Sequence, residues 1–101
     1  MPKIFEYLGI ILFFYSNEHE PIHVHAQKDE FESKAEFYIL NGIISEIKIA
    51  SVKGRQPLSG KDLKNFETFL EKYAEEIVEK WVNYFVYHKK VPFEKITKKL
   101  R

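Results

Sequence analysis

The chain contains no cysteine, so a disulfide scaffold, a thiol nucleophile and any thiolate metal site are excluded. It is poor in glycine and proline, four of each, and no repeat or low-complexity tract interrupts it. An excess of one charge sign is missing too. Sixteen basic against fifteen acidic side chains leave a formal net charge of +1, which excludes a strong overall field for nucleic acid or a membrane. No apolar run is long enough to cross a bilayer: the longest, Leu8–Tyr15, has Gly9 inside it. The start of the chain has neither the charged stretch nor the small-residue cleavage site of a secretory signal, so a cytoplasmic location is expected.

What is present is core material. Hydrophobic residues make up 45% of the chain, and nine Phe, six Tyr and one Trp supply bulk. A length of 101 residues suits one domain, well above the roughly 40-residue floor below which disulfides or metals are usually needed. The chain changes character once, near Gly54–Gly60. Aromatic and β-branched residues in short runs precede it, and charged and apolar residues at helical spacing follow. Strands first and a helix afterwards predict an α+β domain rather than βαβ crossovers. Residues 1–52 form the strand region, 59–88 a long helix and 89–101 a basic C-terminal segment.

Ile4–Leu8, Ile10–Ser16, His23–Lys28, Phe31–Leu40 and Ile43–Ala50 read as extended, with Asn17–Pro21 a polar turn. A two-residue turn at Asp29-Glu30 pairs Val24 with Ala35 and Ala26 with Ser33. Val24, Ala26, Ala35, Phe37, Ile39, Ile47 and Ile49 then share one face. The other face carries His23 beside Glu36 and His25 beside Lys34, with Tyr38, Glu46 and Lys48 nearby. Asn41-Gly42 marks the next hairpin. A two-residue loop there would mix the faces, so a three-residue loop, Leu40–Gly42 with a G1 bulge, is expected to pair Ile39 with Ile43 and Phe37 with Ser45. The strand Ile10–Ser16 is apolar on both sides. One side needs a cover other than the helix: the N-terminal strand, the C-terminal segment or another subunit.

Ser59-x-x-Asp62 predicts a variant capping box, with Leu58 and Leu63 as a hydrophobic staple. Leu63, Phe66, Leu70, Tyr73, Ile77, Trp81 and Phe85 make an apolar stripe, and Glu76–Lys80 an exposed i,i+4 pair. Pro92 stops the helix, with a short turn expected at Phe93–Ile96.

Three of the four histidines lie within seven residues: His19, His23 and His25. On a strand, His23 and His25 point the same way, roughly 6.5–7 Å apart at the backbone. With Glu36 opposite, and His19 swinging in from the turn, they could share a divalent metal ion. Without metal, one imidazole as base and another as acid, with Lys34 or Lys48 steadying a phosphate, would suit RNA cleavage. The competing reading is an ordinary polar cross-strand face. His88 is expected to meet the last helix carbonyls. There is no glycine-rich phosphate loop and no Gly-x-Ser-x-Gly elbow. Lys89, Lys90, Lys95, Lys98, Lys99 and Arg101, against Glu94 alone, could touch a phosphate backbone at low salt or form a solvated tail.

Met1-Pro2-x-Ile4, Gly9-Ile10 and above all Glu18-His19-x-Pro21-x-His23-x-His25-Ala26 resemble the small bacterial proteins of domain-of-unknown-function family 4160. Glu75…Trp81 and Pro92-x-x-Lys95-Ile96 are similar too. Ile22 and Val24 depart from the family's more frequent Pro and aromatic residue. The resemblance implies a bacterial, cytosolic protein whose gene often adjoins that of another small domain, an arrangement behind toxin–antitoxin-like proposals. It implies His19, His23 and His25 as site positions, with Pro21 shaping the turn.

The fold expected is α+β: a curved antiparallel β-meander of about four to five strands packed on one long C-terminal helix. The function expected is an interaction module of a toxin–antitoxin-like pair, using the His-bearing face and the doubly apolar strand. Its partner would be a second copy or a small neighbouring-gene protein, with nucleic acid a weaker candidate and no membrane. The alternative is a small ribonuclease or metal-dependent hydrolase using His23 and His25, aided by His19, Glu36 and Lys34.

Overall fold

Short runs of aromatic and β-branched residues joined by tight turns build a meander, and a single amphipathic helix covers one side of it. The computed structural model describes residues 2–15 and 21–100. The elements are β1 (Lys3–Tyr7), β2 (Ile10–Phe13), β3 (His23–Lys28), β4 (Phe31–Leu40), β5 (Ile43–Ser51), α1 (Gly60–Phe85) and β6 (Glu94–Ile96). The sheet order is β5-β4-β3-β2-β1-β6. The first five strands pair antiparallel in sequence order, and β6 lies parallel to β1. The fold is therefore the expected α+β arrangement, with six strands instead of four to five. The added strand comes from the segment expected as a terminal turn: Glu94, Lys95 and Ile96 pair with Phe5, Glu6 and Tyr7.

The β3–β4 register is the expected one, with His23 opposite Glu36, Val24 opposite Ala35, His25 opposite Lys34 and Ala26 opposite Ser33. The β4–β5 hairpin differs. Asn41 and Gly42 both have positive φ, 54° and 79°, and Leu40 pairs directly with Ile43. That is a two-residue turn of the primed kind, whose twist matches the flanking strands. The three-residue loop is not formed. The faces stay sorted because the extra residue enters later: Ser45 bulges between the Ile39–Ile44 and Tyr38–Glu46 pairs. Its hydroxyl donates to the Tyr38 carbonyl at 3.0 Å. Beyond it, Phe37 meets Ile47 and Ala35 meets Ile49, keeping the apolar set on the helix side.

The core on that side joins Ile4, Leu12, Val24 and Phe37 of the sheet to Phe66, Phe69, Leu70, Ile77 and Trp81 of α1. Ser59 is the N-cap residue, but its side chain makes no capping hydrogen bond. Asp62 instead accepts from Lys28 Nζ at 2.9 Å, tying the first helical turn to the end of β3. At the other end the helix stops at Phe85, short of His88. The N–H groups of Val86 and Tyr87 take the Val82 carbonyl, and that of Lys89 takes Asn83, with His88 at φ 56°. His88 thus shapes the helix end through its backbone, while main-chain groups do the bonding expected of its imidazole.

Lys80 departs from its expected exposed pairing with Glu76. It is buried, and its ammonium lies 2.8 Å from the Pro92 carbonyl, 3.1 Å from Glu94 Oε1 and 4.8 Å from the Phe5 ring centre. A cation in that position clips β6 to both the helix and the sheet edge. The tail is anchored further along, where the Leu100 N–H donates to the Tyr7 hydroxyl at 2.8 Å. Replacing Lys80→Met is expected to cost on the order of 1–3 kcal/mol in urea unfolding. Amide exchange at 94–96 should accelerate while the β3–β4 amides keep their protection.

Candidate functional site

The face of the sheet away from the helix has an interior of its own. Phe13, Tyr15, His23, His25 and Glu32 meet there, and His23, His25 and Glu32 are only 6%, 2% and 1% exposed. Strand alternation explains the set. His23 and His25 lie on one side of β3, Phe13 faces His25 from β2, and Glu32 sits on β4 two residues before Lys34, the residue directly opposite His25. Phe13 stacks on His25 with ring centres 5.5 Å apart, Tyr15 meets it edge-on at 4.4 Å, and His23 at 5.2 Å.

Glu32 organises the polar part. Its Oε2 lies 3.0 Å from His25 Nδ1 and accepts from the Tyr15 hydroxyl at 3.3 Å. Its Oε1 lies 3.7 Å from Arg55 Nη1, and Arg55 Nη2 donates to the Glu30 carbonyl at 3.3 Å. An ionised carboxylate only accepts, so Nδ1 of His25 carries a proton, and a neutral ring keeps its lone pair on Nε2. His23 Nδ1 lies 2.6 Å from the Pro21 carbonyl, which also only accepts, so the same tautomer follows. A carboxylate behind one imidazole and a carbonyl behind the other is the support that orients histidines for metal ligation or proton transfer.

Of the residues expected at the site, Glu36 stands directly opposite His23 and Lys34 directly opposite His25. His23 and His25 come together, buried where an open polar surface was expected. Glu36, across from His23, accepts from the Tyr38 hydroxyl at 2.9 Å and lies 3.7 Å from Lys34 Nζ. That hydrogen bond holds the Tyr38 hydroxyl above the ordinary phenol range, with burial and the Glu36 and Glu46 charges adding to it. Among the described residues no group of three His, Asp or Glu side chains is placed to hold a metal ion. His19 lies outside the described residues. The letters His19-Glu20-Pro21-Ile22-His23 spell the His-Glu-x-x-His pattern. That pattern holds zinc when a helix sets both histidines on one face, whereas His23 here opens strand β3. Glu32, Tyr15 and Arg55 were not among the expected site residues. The diagonal neighbour of His25 across the β3–β4 pair points to Glu32; no sequence signal points to Arg55.

The family model of a domain of unknown function (DUF4160) matches residues 9–82, and the chain belongs to that family. No curated protein and no solved structure matches it.

Removing the carboxylate with Glu32→Ala strips His25 Nδ1 and the Tyr15 hydroxyl of a buried acceptor. A loss on the order of 2–4 kcal/mol is expected in denaturant unfolding, and a smaller one for Glu32→Gln, which keeps an acceptor oxygen. Imidazole nitrogen NMR should report His25 protonated at Nδ1 in the native chain and a mixture of tautomers in Glu32→Ala.

Proposed function

We propose, for this member of the DUF4160 family, an interaction module of a toxin–antitoxin-like gene pair that docks a small acidic partner on the surface after the helix. One observation carries the reading: Val86, Tyr87 and Phe93 are exposed large hydrophobics interleaved with Lys89, Lys90 and Lys95. Lys89 Nζ sits 5.5 Å from the Tyr87 ring centre, so charge and apolar area adjoin. Exposed large apolar groups mark interaction surfaces, and neighbouring positive charge steers an acidic partner while apolar anchors hold it. Two groups expected to serve, the imidazoles and the apolar strand, offer little surface. The imidazoles are buried, and β2 lies inside the sheet with Ile10, Leu12 and Phe13 covered by the chain itself. Co-expression with the adjoining gene product is expected to yield a complex. Tyr87→Ala with Phe93→Ala should weaken it by about tenfold or more, and Lys89→Glu with Lys90→Glu should slow association in a salt-dependent way. Failure of the two proteins to co-purify from a well-folded preparation would remove this reading.

The buried His25–Glu32 contact favours a second reading, a small ribonuclease or metal-dependent hydrolase. There Glu32 holds the His25 tautomer, His25 and His23 exchange protons or share a divalent ion, and Lys34 attracts a phosphate. His25→Asn and His23→Asn should each lower RNA cleavage by about 10²–10⁴-fold with the fold retained by circular dichroism. Elemental analysis of wild type and both variants separates the routes: stoichiometric metal lost on substitution belongs to the hydrolase. Activity untouched in both variants would end it.

A further inference from the structure

The open edge of the sheet carries an inference independent of the surface proposed above. Strand β5 ends the sheet on one side, and among the described residues no segment pairs with its outer edge. The Phe37 N–H donates to the Ile22 carbonyl, so Phe37 turns its main-chain groups toward β3 and away from β5. In an antiparallel ladder these groups alternate sides. The residue opposite Phe37 is Ile47, which therefore turns its own N–H and C=O to the open edge. Near that edge the hairpin tip leaves Ile43 and Leu40 70% and 65% exposed. Beneath it, Ile47 and Ile49 line a cleft of about 480 Å³ against Leu70, Glu67 and Glu71. Long edges with apolar neighbours invite another strand.

The charges on β5 select which strand. A two-fold axis normal to the sheet pairs β5 with itself antiparallel, and directly opposed residues share a face, so the axis passes through a residue facing its own copy. Centred on Glu46, the pairing sets carboxylate against carboxylate. Centred on Lys48, it sets ammonium against ammonium. Centred on Ile49, it places Lys48 against the partner's Ala50 and gains no charge pair. Centred on Ile47, it places Glu46 against the partner's Lys48 and Lys48 against the partner's Glu46, with the two Ile47 side chains meeting on the helix side. We infer that β5 is a self-complementary dimer edge, its occupant a second copy of this chain joined through Ile47. The Ser45 bulge and the two opposite charges disfavour other strands and other registers, which is how an edge admits one partner and rejects aggregation.

Light scattering on the full chain tests this with charge exchange. The wild type is expected at twice its 12.1 kDa monomer mass. Glu46→Lys alone and Lys48→Glu alone should each weaken dimerisation by about tenfold or more. A mixture of those two variants, and the double exchange in one chain, should restore it, because both recreate two opposite-charge pairs. These exposed positions leave the interior intact, which circular dichroism checks. A wild type monomeric at every concentration would overturn the proposal. So would a dimer indifferent to the single exchanges, or one broken by Leu40→Ser with Ile43→Ser and not by charge, since the contact would then lie at the hairpin tip.

Discussion

A slip of β3 by one residue against β4 would carry His23 and His25 under the helix and turn Val24 and Ala26 out among the charges. The tight turn at Asp29-Glu30 prevents it: Lys28 pairs with Phe31, and every later pair follows to His23 and Glu36. Both interiors come from that register. On one side Val24, Ala26, Ala35 and Phe37 form a layer that α1 covers. On the other, His25 comes within hydrogen-bonding distance of Glu32. Because one alternation produces both layers, neither can be rebuilt by sliding a strand without destroying the other.

The polar interior is costly to form. A carboxylate as buried as Glu32 loses several kcal/mol of hydration, and a single neutral donor does not return it. Glu32 is met by Tyr15 from beyond β2, by His25 from β3 and, at longer range, by Arg55 from the β5–α1 connection. One carboxylate thus depends on the mutual placement of four segments, and displacement of any of them leaves a buried polar atom short of a partner. An apolar cluster of the same volume would hold these strands together at least as firmly. What it would lack is direction: the fixed proton position on each imidazole comes from the acceptors behind them.

The features legible in the sequence were those set along a strand or across one tight turn. Parity gave the β3–β4 pairing and the sorting of the two faces, and the Leu63–Trp81 spacing gave the helix. Parity alone could not place the bulge, since an extra residue at Leu40 or at Ser45 restores the alternation equally; the twist of a turn with Asn41 and Gly42 both at positive φ decides for Ser45. Lys80 pairs locally with Glu76 on paper because the remote Glu94 becomes its neighbour only once β6 docks on β1. Directly opposed residues give His25 a lysine, and only the diagonal gives it Glu32. Arg55, from a loop, has no periodicity to betray it.

Burial of the imidazoles separates two roles that a surface-strand reading merges. Residues as covered as His23 and His25 offer a protein partner almost no contact area, so the proposed recognition would rest on groups that remain in water. Those groups sit at the margins: the segment after α1, the hairpin tip and the outer edge of β5. The centre of the sheet holds the oriented histidines in a region where low polarity strengthens each hydrogen bond and resists uncompensated charge. A ligand acting at that centre would have to be small or extended enough to reach the rings. Were both proposed roles to hold, the same meander would keep chemical and docking groups apart, and a change at one would leave the other in place.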